Sequence, residues 1–212
     1  MADFIHLHNH SHYSLLDAAC TVDDLVSAAA ANNMPALALT DHGVMFGAIE
    51  FYKKAKAAGI KPILGNEMYV VTRGSRYDRD ASESHPEGKR HGYNHLVLLA
   101  KNLTGYHNLL KLTTYGHTQG FYYKPRIDFD LLREHSEGLI ALTACAGGVV
   151  STYLAIGDYD AARSVALQLR EIFGEDVYLE IQNHGLERET VIREGMLRLS
   201  TELGMKLICT ND

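Results

Sequence analysis

Ala36-Leu37-Ala38-Leu39-Thr40-Asp41-His42-Gly43 begins as an uninterrupted apolar run and ends in a cluster of polar side chains. A short run without alternation marks a strand buried on both faces, so Thr40–Gly43 sit at its C-terminal end. Met45–Ala58 then has helical periodicity and stops at Gly59, which can take the left-handed backbone that closes a helix. Gly59-Ile60-Lys61 leads into the next apolar run.

The same unit recurs on both sides. Further apolar runs are Phe4–Leu7, Pro62–Leu64 with Met68–Val71, Leu96–Ala100, Leu139–Thr143, Val177–Ile181 and Lys206–Cys209. Thr21-Val22-Asp23-Asp24 resembles a capping box that opens a helix through about Asn32. Asp160–Phe173 and Glu187–Leu203 read as helices closed by Gly174 and Gly204. Strands alternating with helices predict an α/β fold with a parallel sheet. About seven strands in 212 residues favour a closed barrel over an open sheet. Arg73–Gly92 is charged and aperiodic, and reads as an exposed insertion in an otherwise single domain spanning residues 1–212.

Composition narrows the function classes. A hydrophobic fraction of 46% is that of an ordinary globular protein. No apolar run is long enough to span a bilayer, and Met-Ala-Asp-Phe does not open a secretory signal. Cys20, Cys145 and Cys209 are odd in number and far apart, which points to a reducing cytoplasm rather than a disulfide framework. The net charge of −6 argues against a non-specific nucleic-acid binder. It does not exclude an enzyme that meets phosphate through bound cations.

Chemistry-bearing residues fall at the predicted strand ends. His6-Leu7-His8-Asn9-His10-Ser11-His12 closes the first strand, and an extended chain points His8 and His10 to one face. Asn66-Glu67 interrupts the third strand, Cys145 follows the fifth, His184 the sixth, and Asn211-Asp212 ends the seventh. In parallel α/β folds these ends share one rim. His95 is the exception, because it precedes its strand. Taken singly, most have bland readings: His42 as a satisfied turn histidine, His95 as a core histidine, Cys145 as a small core residue, His184 as a loop residue. Glu67 is harder to dismiss, since a carboxylate in an apolar strand needs a partner or a metal. Together, and with no Gly-rich phosphate loop or Gly-x-Ser-x-Gly elbow, the set reads as metal-assisted hydrolysis.

These residues resemble the PHP (polymerase and histidinol phosphatase) domain. His8-x-His10, Asp17, Thr40-Asp41-His42-Gly43, Glu67, His95, Cys145 and Asn211-Asp212 carry the likeness. Ser14–Ala18, His95–Ala100 and Tyr123–Asp128 give it the flavour of the domain that opens the bacterial C-family replicative polymerases, the DNA polymerase III alpha subunits. The resemblance implies a distorted (β/α)7 barrel carrying up to three divalent metals, Zn or Mn by donor type. It places one metal on His8, His10, Glu67 and Asp212, and a second on Glu67, His95 and Cys145. A third would lie on Asp17, His42 and a histidine two positions past Asp212. The chain is therefore expected to be C-terminally truncated, a piece of a longer polymerase. The implied activity is a 3′–5′ proofreading exonuclease with Asp17, His42 and Glu67 as catalytic residues. Its implied partners are a DNA 3′ end, the other polymerase domains and the replisome. Lys124, Arg126 and His184 are candidate substrate contacts, with an exposed basic loop as the alternative for Lys124 and Arg126. A histidinol-phosphatase-like activity and a metal-stabilised structural module are the competing readings.

Overall fold

The structure, a computed structural model, describes residues 4–79 and 92–212. Its strands are β1 (Ala36–Leu39), β2 (Lys61–Val71), β3 (Asn94–Ala100), β4 (Phe121–Tyr122), β5 (Lys124–Asp128), β6 (Leu139–Leu142), β7 (Val177–Ile181) and β8 (Lys206–Cys209). The helices are α1 (Val22–Ala31), α2 (Ala48–Ala57), α3 (Leu103–Thr118), α4 (Phe129–His135), α5 (Ser151–Ala155), α6 (Tyr159–Phe173) and α7 (Glu187–Leu203). The strands form one sheet in the order β4-β5-β2-β3-β6-β7-β8, with β1 on the first part of β2.

The sheet curls, as a distorted (β/α)7 barrel requires. Along β3, Leu96 and Leu98 pack outward against helix residues, whereas Val97 and Leu99 pack inward with Ala38, Leu142 and Ala144. Leu7, Tyr178 and Ile208, from distant parts of the chain, rest on that inner cluster. Both faces of the central strands are thus buried, which is why their sequences run apolar without alternation.

The sheet departs from expectation in direction. β1–β2, β2–β5, β6–β7 and β7–β8 are parallel, but β3 runs antiparallel to both β2 and β6. Reversal of β3 carries its N-terminal end to the rim where β1 and β2 end. His95, out of place in an all-parallel sheet, thereby joins that rim.

Phe4–Leu7 is not a regular strand. It follows β1 through bonds from Ala38 N–H to the His6 carbonyl and from Thr40 N–H to the Asn9 carbonyl, both 2.9 Å. Asn9 replaces the rest of a ladder, its amide donating to the His6 and Ala38 carbonyls. Nor does Asn66-Glu67 interrupt β2, which stays paired to β3 through Asn66↔Leu98 and Glu67↔Val97. The capping box of α1 forms as read, Thr21 and Asp24 each satisfying the other's backbone N–H.

α3, α4, α5 and the β4–β5 hairpin go beyond the sequence reading. β5 hides behind Lys124, Arg126 and Asp128, of which Arg126 and Asp128 are buried. Of the expected insertion, residues 80–91 lie outside the described residues. Among the described residues no helix is long and apolar enough to cross a membrane.

α3 meets the sheet through a glycine pair. A Cβ on Gly105 would fall 1.8 Å from the Gly138 carbonyl oxygen, a backbone atom with no way to yield. Gly105→Ala is expected to cost roughly 2–3 kcal/mol in chemical denaturation.

Candidate metal centre

Glu67 lies in mid-β2 and is fully buried, and the rim side chains converge on it. Its Oε2 is 3.2 Å from His8 Nε2, 3.0 Å from His10 Nε2 and 3.1 Å from His42 Nδ1. Its Oε1 is 3.0 Å from His95 Nδ1 and 3.8 Å from Cys145 Sγ. Asp212 Oδ1 approaches His10 Nε2 at 2.9 Å and His8 Nε2 at 3.5 Å. Asp17 Oδ2 reaches His42 Nε2 at 3.4 Å. The structure thus brings together the eight residues of this chain expected to ligate a metal.

The imidazoles of His8 and His10 are held from behind. His8 Nδ1 meets Glu180 Oε1 at 2.7 Å, leaving Nε2 to face Glu67. Glu180 is itself fixed by the Thr210 hydroxyl and by Gln182 Nε2 at 3.0 Å. The Ser14 hydroxyl donates to Asp41 Oδ1 at 2.7 Å, so its oxygen accepts from His10 Nδ1 at 3.2 Å. Asp41 is pinned in turn by the Ser11 N–H and hydroxyl. Ser14 Oγ also accepts the His42 backbone N–H, and the His10 and His42 rings stack 4.3 Å apart. Hydrogen bonds of this kind fix which ring nitrogen offers its lone pair.

Glu180, Asp41 and Ser14 are functional positions that the sequence reading did not assign. Glu180 carried a usable signal, since it is a carboxylate inside the apolar run Val177–Ile181, as Glu67 is in its own run.

The substrate candidates fare differently. Lys124 is exposed, with Nζ 5.3 Å from the Tyr69 ring, and that ring stacks on His42 at 5.6 Å. Lys124 therefore borders the centre. Arg126 does not act as an exposed phosphate grip. It is fully buried, and its Nε and Nη2 donate to the carbonyls of Gly120, Arg76 and Asp78. His184 is tied to Glu189 through Nδ1 at 2.8 Å and through its backbone N–H, bracing the start of α7.

The PHP domain profile matches residues 6–184. The chain belongs to the PHP domain family. It is similar to DNA polymerase III subunit alpha of Borreliella burgdorferi, at 47% identity over 99% of this chain and 18% of that protein. The Thermus aquaticus subunit is 44% identical over 99% of this chain and 17% of that protein. The chain thus spans under a fifth of the length of these relatives. A Bifidobacterium adolescentis structure described as a metal-dependent phosphoesterase superposes with a TM-score of 0.61 at 13% identity, covering 99% of this chain and 87% of that one. An amidohydrolase of Chromobacterium violaceum gives 0.52 at 16% identity, covering 98% and 86%.

In this PHP domain the donors fit a divalent cation. His8 Nε2, His10 Nε2 and His42 Nδ1 are buried and crowd to within 3.0–3.2 Å of Glu67 Oε2, with none of the four atoms in a well-aligned hydrogen bond. Such atoms normally have a partner. Among the described residues they form overlapping groups whose donor atoms lie within 4.8 Å: His8-His10-Glu67-Asp212, His10-Asp17-His42 and His42-Glu67-His95. The first is the expected set. The others share His10 and His42 more widely than expected, with Cys145 Sγ 3.6 Å from His95 Nδ1.

Without a cation, protons hold the cluster together. Burial opposes a charge on His8, but Glu180 and Glu67 outweigh it and raise its pKa well above the ordinary value. Burial likewise opposes His10, yet Asp212 and Glu67 raise it to about 9. Burial pushes His42 down to about 4, only partly opposed by Glu67 and aided by the His10 and His95 charges. For Glu67 burial favours the neutral acid, and the surrounding histidines overcome it, so it stays ionised. Burial, then Glu67 and Asp212, raise the Cys145 thiol.

Metal must displace these protons, so uptake should release protons and strengthen by up to about tenfold per pH unit for each proton displaced. The share due to His10 should fall away above about pH 9, where metal-free His10 is already neutral, leaving the shares of His8 and the Cys145 thiol. The sign is opposite for metal-free stability. His10 has a raised folded pKa, so its contribution is complete below about 6.5 and fades as pH climbs through about 9. Calorimetric metal titrations in buffers of different ionisation enthalpy measure the protons released. Glu180→Gln, by loosening His8, should weaken metal binding about 10- to 100-fold in a chelator competition.

Proposed function

We propose that residues 1–212 are a metal-dependent phosphoesterase domain of a replicative DNA polymerase III alpha subunit, acting as a 3′–5′ exonuclease on DNA. The reading rests above all on the convergence of imidazole, carboxylate and thiol donors on Glu67 at one rim of the barrel. Similarity to the polymerase subunits supports this reading, in which a DNA 3′ end is the substrate, the remaining polymerase and the replisome are the partners, and the cytoplasm is the setting.

The centre is graded in depth. His8 and Glu67 are fully buried, His10 nearly so, whereas Asp17 has half its side chain exposed. His42, His95 and Asp212 lie between these limits. A phosphodiester therefore meets the cluster from the Asp17 side. Bound Zn or Mn would neutralise the phosphate's charge and activate water at neutral pH. Glu67 is too deep to touch substrate, and its part is to hold the donor atoms in register. His42, kept neutral by burial at physiological pH, offers a lone pair rather than a positive charge. Asp17 sets the outer edge of the cluster, and Lys124, over the Tyr69 ring that stacks on His42, carries a positive charge to meet the incoming strand.

The test uses this chain and, in parallel, a polypeptide extended past Asp212, each loaded with Mn or Zn and given 3′-labelled single-stranded DNA. The extended protein is expected to release labelled mononucleotide, to lose the activity on chelation, and to lose it as Asp17→Asn. Hydrolysis of histidinol phosphate with DNA ends intact would replace this reading with a small-molecule phosphatase. Full metal loading without hydrolysis of either would leave a structural metal centre.

A further inference from the structure

We infer that the β4–β5 hairpin and the adjoining segment through Arg79 form a stacking and charge track for single-stranded nucleic acid, leading into the metal centre. The inference rests on the proposed reading for what lies at the end of the track, but not for the track's own chemistry.

The surface combines exposed aromatic rings with cations. Phe121 is 51% exposed and Tyr123 61%, while Tyr77, 56% exposed, already carries the Arg76 guanidinium over one face at 4.5 Å. Interleaved with them are Arg79 and Lys124, both exposed. Arg79 packs its guanidinium 5.4 Å from the Tyr122 ring and anchors one nitrogen on the Phe121 carbonyl. The rest of its charge faces solvent. No carboxylate among the described residues pairs with Lys124. Of the acidic groups nearby, Asp128 is paired with Arg76 through both oxygens, and Asp78, which caps the Ser75 N–H, leaves one negative charge against the two cations. In a chain of net charge −6, this is a local reversal of sign beside aromatic faces.

That pairing is what a single strand recognises. Any base has a face to stack, and its backbone carries one charge per nucleotide, so rings alternating with cations bind without reading sequence. A duplex keeps its bases stacked on each other and offers no such faces. Backbone conformation supports a dedicated role for the hairpin: Tyr123 is held at φ +61°, a left-handed conformation costly for an aromatic residue, and its side chain remains largely outside the core.

The hairpin is continuous with the centre. Lys124 Nζ lies over Tyr69, and Tyr69 stacks on His42. A Cβ on Gly43, the residue after His42, would fall 2.7 Å from Pro125 Cγ of β5. The turn that carries a centre residue thus packs directly on the hairpin, and Phe121, whose ring lies 6.2 Å from His117, itself bonded to the Gly43 carbonyl, leads a strand toward that turn and the half-exposed Asp17.

The experiment reads binding without hydrolysis: fluorescence anisotropy of a labelled oligothymidylate with this chain in EDTA, across a salt series. Wild type is expected to bind the single strand more tightly than a blunt duplex of equal length. Phe121→Ala should weaken single-strand binding about tenfold. The pair Arg79→Ala with Lys124→Ala should weaken it and reduce the slope of log affinity against log salt by about 1.4, or about 0.7 per phosphate contact. Unchanged thermal melting of the variants shows that they are folded. Variants that bind like wild type with an unchanged salt slope, or a wild type that ignores single strands, overturn the track. With no metal present, absence of exonuclease activity would leave a positive result standing. Conversely, DNA hydrolysis with hairpin variants that bind normally would overturn the track alone.

Discussion

A carboxylate inside an apolar strand governs this structure. Glu67 is flanked along β2 by Gly65, Asn66, Met68 and Tyr69 and is walled in on both sides by neighbouring backbone. Burying an isolated carboxylate is costly unless opposite charge or donors compensate it locally. The fold supplies that compensation from four other parts of the chain: the N-terminal stretch, the turn after β1, the start of β3 and the loop after β6. Each contributes a group that would be poorly placed without Glu67, and Glu67 would be poorly placed without them. A cation at their centre replaces shared protons with a charge that does not titrate.

Much of this was legible in the sequence because local pattern and tertiary role agree. Ala36–Leu39 and Val177–Ile181 are strands as their apolar runs indicate, and Thr21 with Asp24 caps α1 as their spacing indicates. The metal-type residues at strand ends proved to share one rim. What local pattern does not encode is strand direction. Leu96–Ala100 reads the same whether it runs up or down, so the antiparallel course of β3, and with it the place of His95, emerges only from pairing. Arg126 misleads for a related reason: a basic letter suggests solvent, yet a guanidinium can be buried when backbone carbonyls surround it.

The supporting residues were the least visible. Ser14 is an ordinary polar residue in the sequence, but its hydroxyl connects Asp41, His10 and the backbone of His42. Glu180 acts on His8 across most of the chain's length. Such roles depend on distance in space and leave no spacing rule behind, which is why ligands are easier to read than the groups that orient them.

The backbone on either side of Glu67 carries one more consequence. Its N–H donates to the Asp41 carbonyl and its carbonyl accepts from the Gly43 N–H, so His42 and Glu67 are partners in a single parallel β-bridge just past the end of β1. Their separation is therefore a property of β-pairing rather than of two independent side chains. The gap between donors works as a gauge cut into the fold, with little freedom to widen or narrow for an ill-fitting ion. Opening it means breaking both backbone bonds of that bridge, so a change in the donor gap is felt in the main chain of the rim.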